Sequence, residues 1–155
     1  MKLHLWTIGK TNDAYLKEGC DQYLKRLPHY LPFEYIEIPE PKNTKLSSDV
    51  LKKEEEKILL SRLQDSDQLI LLDEKGSEFT SAEFSQFIQK KMNTVSGNLI
   101  FLIGGPYGFS EAIYKRANGK VGLSKMTLSH QMVRLFALEQ LYRACTIIKG
   151  EKYHH

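Results

Sequence analysis

The sequence lacks most of the features that would fix its chemistry at once. Among 155 residues there are two cysteines, Cys20 and Cys145, each inside an apolar helical pattern. Two such thiols build no disulfide framework, and no Cys/His spacing marks a metal site. No apolar run approaches the roughly 18 to 20 residues of a membrane span. The opening "MKLHLWTIGK" is too short and too polar for a secretory leader and reads as a first strand in a cytoplasmic protein. The phosphate-binding signatures are missing as well. There is no G-x-G-x-x-G, no Lys-Ser/Thr closing a glycine loop, and no acidic residue about 20 positions past a glycine motif to hold a ribose. A strong charge bias is absent too: 22 Lys and Arg against 19 Asp and Glu leave +3. That excess suits an anionic partner without demanding one, and it is small for unaided RNA binding.

What is present is an alternation of β-prone and helical segments over a length suited to one domain, residues 1–155. Strands are expected at 2–8 ("KLHLWTI"), 33–38 ("FEYIEI"), 68–73 ("QLILLD"), 98–103 ("NLIFLI") and 120–124 ("KVGLS"). Helices are expected from Asn12 to Leu27, up to about Arg62, from a Thr80/Glu83 capping box through Phe84, Phe87, Ile88 and Met92, and from a Ser110 cap to about Ala117. A last helix is expected from Ser129 to Ile148. "PEPKNTKLSSD", with two prolines, is the longest expected loop. Strands alternating with helices predict a mostly parallel sheet with helices on both faces. Ligands of such sheets sit at the carboxyl ends of the strands. Three loops leave those ends after the most hydrophobic strands: "LDEKGSE", "GGPYGF" and "SKMTLSHQ".

The last helix carries a second signal. Val133, Phe136, Ala137, Leu141, Ala144, Cys145 and Ile148 form one apolar stripe, and Leu135, Leu138 and Tyr142 form another. A helix apolar on two sides is covered on two sides. A second copy of the chain in a two-fold homodimer is the expected cover.

"LIGGPYGFS", "LSKMTLSHQMVRLFALEQLYRA" and the ending "GEKYHH" together resemble the ribosomal RNA large subunit methyltransferase H family, SPOUT-class pseudouridine N3-methyltransferases. "MKLHLWTIGK" and "YLKRLPHYLPFEYIEIPEPK" extend the likeness over the whole chain. The resemblance implies an α/β SPOUT fold with a C-terminal trefoil knot, although true knots are otherwise essentially absent from proteins. It implies S-adenosyl-L-methionine as cofactor and 23S rRNA of the assembled ribosome as substrate, with no metal. Carried over by motif, cofactor contacts fall on Leu72, Gly104, Gly105, Leu123, Ser124, Lys125, Met126, Thr127 and Leu128. Glycines without a Cβ let backbone approach a ligand or take a positive φ, and the apolar residues offer walls for an adenine.

Methylating N3 of a pseudouridine requires loss of the imide proton. His130, Arg143, Tyr153 and His154 are the candidate catalytic residues, as proton acceptors, anion stabilisers or base-stacking groups. Arg134 is a further candidate for holding the anion, and His155 for taking the proton. Each has a plainer reading: a helix cap for His130, an i,i+4 salt bridge from Glu139 for Arg143, and a frayed end for the tail. His155 stands where the family's Tyr-His ending usually continues with a basic residue. RNA contacts are expected from Lys10, Lys25, Arg26, Lys115, Arg116, Lys120, Arg134, Arg143, Lys149 and Lys152, gathered around the pocket mouth. Two other readings stand beside this one: a different nucleotide enzyme on an unknotted sheet, and a non-catalytic ribosome-binding factor with a vestigial pocket.

Overall fold

The computed structural model describes residues 1–42 and 45–155. In chain order the elements are β1 (Leu3–Ile8), α1 (Ala14–Arg26), a 3-10 turn (Leu27–His29), β2 (Phe33–Ile38), α2 (Ser48–Arg62), β3 (Gln68–Glu78), α3 (Ser81–Thr94), β4 (Leu99–Ile103), α4 (Glu111–Arg116), β5 (Gly119–Gly122) and α5 (Met132–Ile148). Part of the expected long loop, Asn43 and Thr44, lies outside the described residues. The five strands form one parallel sheet in the order β2-β1-β4-β3-β5.

The strand sequences explain why both faces are covered. Side chains alternate across a sheet, and in β1 and β4 both alternating sets are apolar. Leu3, Leu5, Leu99, Phe101 and Ile103 join one core, with residues of α1, α3 and α5. Trp6, Ile8, Ile100 and Leu102 join the other, with Leu59 of α2 and Ile113 of α4. Both thiols are core groups: burial pushes Cys20 up to about 11 and Cys145 up to about 12, so neither is a nucleophile at neutral pH.

Local signals act as the sequence predicts at two helix starts. Thr80 and Glu83 form a reciprocal capping box, and Ser110 Oγ accepts from the Ile113 amide. Four expectations are corrected. The Met92 side chain is exposed, because the face of α3 facing the sheet is spent on Phe84 and Ile88. Pro28 converts the end of the first helix into a 3-10 turn. The last helix begins at Met132 rather than Ser129, whose hydroxyl instead accepts from the Met132 amide. Leu138 is 0% exposed within its own chain and so belongs to the core rather than to a stripe awaiting a second subunit. Phe136 is the large apolar residue that α5 leaves most exposed.

The segment "LDEKGSE" departs most from expectation. β3 does not end at Asp73 but resumes beyond a break in register and runs to Glu78. Val121 of β5 is registered with Leu72 and again with Ser77. The intervening segment closes over the end of β5. A Cβ on Gly76 would lie 2.6 Å from the Val121 backbone, and one on Gly122 would lie 3.1 Å from the Gly76 carbonyl oxygen. Two glycines therefore meet where backbone crosses backbone.

Candidate active site

The order β4-β3-β5 puts three neighbouring carboxyl ends side by side, and the loops after them enclose one cleft of about 470 Å³. Leu72 and Ile103, paired in register, form its floor. Gly104 to Pro106, Gly108 and Phe109 form one wall. Leu123, Ser124 and the run from Met126 to His130, with Val133, form another. The size and the mixed apolar and polar lining suit a small organic ligand.

Short-range bonds shape the loops. Ser124 Oγ accepts from the Met126 amide at 2.9 Å, folding the chain back on itself just beyond β5. Gly108 has φ of +79°, the left-handed region that this turn needs, while neither Gly104 nor Gly105 does. Those two are glycines for another reason. A Cβ on Gly104 would stand 2.9 Å from the Phe109 ring, and one on Gly105 would stand 2.8 Å from the Glu55 carboxylate. The glycine pair thus lets Phe109 and Glu55 pack directly on the loop.

Several residues not singled out by the sequence reading also belong here. Asp73 lines the cleft and accepts from Tyr114 Oη at 2.6 Å and from the Lys75 amide at 2.8 Å. Burial alone would raise its pKa, but the Tyr114 and Lys75 hydrogen bonds, with the charges of Lys120 and Lys75, bring it below its ordinary value. Tyr114 in turn is pushed up to about 12 by burial and by Asp73, and stays a donor. Its ring meets Phe109 edge-on, with centroids 5.7 Å apart. One signal was available: Asp73 directly follows the last apolar residue of a buried strand, which places it at a strand's carboxyl end.

His130 lines the cleft, and its carbonyl accepts from Arg134 Nε at 3.1 Å. Lys125 is exposed and its side chain lies outside the lining, although both neighbours contribute to it. Arg134 is 1% exposed and holds β1 to α5 through the Ile8 and Gly9 carbonyls, Thr11 Oγ1 and Glu37. It is therefore not at hand for RNA or for a developing anion.

Arg143, Tyr153 and His154 form a separate cluster. Arg143 donates to Glu139 at 2.6 and 3.0 Å and stacks 4.8 Å from the Tyr153 ring centroid. Hydrogen bonding to Glu139 raises the Arg143 pKa further. Tyr153 also bonds Glu139, and packs edge-on against Tyr142. Arg143 Nη1 lies 3.1 Å from His154 Nδ1. A guanidinium only donates, so Nδ1 is the acceptor and the proton of a neutral ring sits on Nε2. An α-helix rises about 1.5 Å per residue, which sets Arg143 roughly 16 Å along α5 from its start near His130. One chain does not bring the four catalytic candidates together.

The expected RNA-contact residues also scatter. Arg116 is engaged with the Gln64 and Asp67 carbonyls, and Lys115 pairs with Glu111. Arg26 and Lys149 close the carboxyl ends of α1 and α5, at the end of the sheet opposite the cleft.

Comparison with known proteins identifies the family. The model of the family described as "Predicted SPOUT methyltransferase" matches residues 1–154. The ribosomal RNA large subunit methyltransferase H of Cytophaga hutchinsonii is 88% identical over the full length of both chains. That of Parabacteroides distasonis is 54% identical over all of this chain and 99% of its own. Among solved structures, the SpoU methyltransferase AviRb of Streptomyces viridochromogenes, in complex with AdoMet, aligns with 97% of this chain and 61% of its own, at 13% identity and a TM-score of 0.43. Matched along its length by that family and by these relatives, the chain belongs to the SPOUT methyltransferases.

Proposed function

We propose that this protein is an S-adenosyl-L-methionine-dependent enzyme that methylates N3 of a pseudouridine in 23S rRNA of the assembled ribosome, in the cytoplasm and as a homodimer. The observation that carries the reading is the 88% identity, over both full lengths, with a ribosomal RNA large subunit methyltransferase H. A non-catalytic factor with a vestigial pocket would bind no S-adenosyl-L-methionine, and calorimetry on the purified protein separates the two readings.

The cleft fits the cofactor. Leu72, Leu123 and Leu128 offer apolar walls for an adenine, and the backbone of 123–128 offers polar groups to its edge. Asp73, held charged by Tyr114, is placed to receive a hydroxyl or ammonium group. S-adenosyl-L-methionine, when bound, supplies a methyl on a sulfonium. The protein's share is alignment and removal of the imide proton, and positioning alone can supply roughly 7 to 11 kcal/mol. His130, at the cleft wall, is the acceptor within one chain.

Arg143, Tyr153 and His154 act in the partner's cleft. An antiparallel two-fold pairing of α5 carries the end of one helix to the start of the other and completes the site. Tyr153 then stacks on the target base. His154, with Nδ1 held by Arg143, donates from Nε2 to a base carbonyl and stabilises the anion left by the proton. The test is mass mapping of rRNA from unmethylated ribosomes incubated with protein and cofactor. One methyl on a pseudouridine supports the assignment; unmodified rRNA contradicts it.

A further inference from the structure

A second depression, of about 510 Å³, lies between the carboxyl ends of α1 and α5, lined by Arg26, His29, Tyr30, Tyr142, Lys149 and Glu151. Helices in a parallel α/β sheet run opposite to the strands, so this groove sits at the strands' amino ends, away from the cleft. The Pro32 carbonyl, three residues past His29, accepts from the Leu3 amide at the start of β1 and fixes that placement.

The groove has a built floor and free cations. Tyr30 and Tyr142 meet edge-on, with centroids 5.7 Å apart. Arg26 Cζ lies 5.5 Å from the Tyr142 centroid and 5.8 Å from that of Tyr23, so its guanidinium is held by ring faces rather than by a carboxylate. Tyr30 Oη donates to Glu151 at 2.6 Å and occupies the one acidic group there. Among the described residues no acidic side chain forms an ion pair with Arg26 or Lys149.

We propose that this groove is an RNA-docking surface continuous with the tail, in which Arg26, His29 and Lys149 hold phosphates of the RNA strand beside the tyrosine floor. The inference rests on the reading of the chain as an rRNA methyltransferase. Phosphate contacts fix register and supply affinity without reading sequence. In the proposed antiparallel pairing of α5 the groove flanks the partner's cleft, because Tyr142 of its floor packs 4.8 Å from Tyr153, so an enzyme of small net charge would grip the RNA beside the reacting base.

The test compares wild type with a His29→Ala/Lys149→Ala variant and, separately, Arg26→Gln. Affinity for unmethylated ribosomes is measured across a salt series, beside cofactor calorimetry, thermal unfolding and sedimentation. The exposed double variant keeps the test valid if Arg26→Gln loosens its tyrosines. The expected result is about tenfold weaker ribosome binding and a salt dependence shallower by about 1 per Lys or Arg removed, with cofactor affinity and sedimentation unchanged. Unchanged ribosome affinity with lowered stability would overturn the proposal, leaving the cations as partners of the helix carboxyl ends. Loss of affinity together with altered sedimentation would also overturn it, making the groove an interface between copies. Ribosome binding is read without turnover, so a wild type that binds but transfers no methyl would strike the enzymatic reading separately.

Discussion

Arg134 of α5 donates to the carbonyl of Ile8, the last residue of β1, at 2.8 Å, and to that of Gly9 at 2.9 Å. This buried fork ties the start of the last helix to the carboxyl edge of the sheet, and with it His130, whose carbonyl the same side chain engages. Arg134→Leu removes the guanidinium from the Ile8 and Gly9 carbonyls and leaves Glu37 with only its Thr11 donors. We expect a loss of roughly 3 to 5 kcal/mol in denaturant unfolding. Arg134→Lys should recover little of it, because an ammonium lacks the planar fork.

Glu55 is 7% exposed and lies against Gly105 of the cleft loop. Burial, reinforced by the charge of Glu40, raises its carboxyl from the ordinary 4.5 to about 7. A raised acid favours the protonated folded state. Its contribution to stability is full below about pH 4.5 and is lost as pH rises through 7, by up to about 3 kcal/mol. Glu55→Gln should therefore unfold at higher temperature than wild type at pH 8, with little difference at pH 4.5. An equal difference at both pH values would contradict this.

Gly104→Ala puts a methyl against the Phe109 ring, which lines the cleft. Overpacking of this kind costs about 1 to 3 kcal/mol. We expect weaker cofactor binding by calorimetry, partly restored by adding Phe109→Leu. Restoration identifies the ring as the agent; its absence identifies direct contact between the new methyl and the ligand.

Most of the fold was legible because its signals are local. Hydrophobic strands, the Thr80/Glu83 box and the Ser110 cap each act within a few residues. The three loops of the cleft were legible as strand ends, but that their strands are neighbours comes from the order of the sheet. The rest was set by contacts distant in sequence. The Arg134 bonds to Ile8 and Gly9 span well over a hundred residues, and nothing near Arg134 in the chain distinguishes it from an exposed helix cation. The apolar pattern of α5 assigned Leu138 to an outer stripe, yet periodicity does not say which side a helix wrapped by α1 and α3 leaves open. Gly76 and Gly122 carry no motif, because their glycine identity follows from two segments crossing.

That crossing gives a fourth expectation. Gly76→Ala drives a Cβ into the Val121 backbone, which has no side chain to move aside. We expect severe destabilisation and slow recovery from denaturant, measured by refolding kinetics. Alanine at Gly108, where a Cβ meets nothing within 4 Å, should cost only the strain of its positive φ.

The central claim is that this chain methylates rRNA through a cleft completed by the tail Tyr153–His155. The most direct measurement is single-turnover methyl transfer to unmethylated ribosomes by the full chain and by one lacking those three residues, with cofactor titration of both. The account predicts methylation by the full chain, cofactor affinity that is unchanged on truncation, and a rate lower by about 100-fold, or about 2.7 kcal/mol of transition-state stabilisation. Equal rates for the two proteins, or no transfer by the full chain, would contradict it.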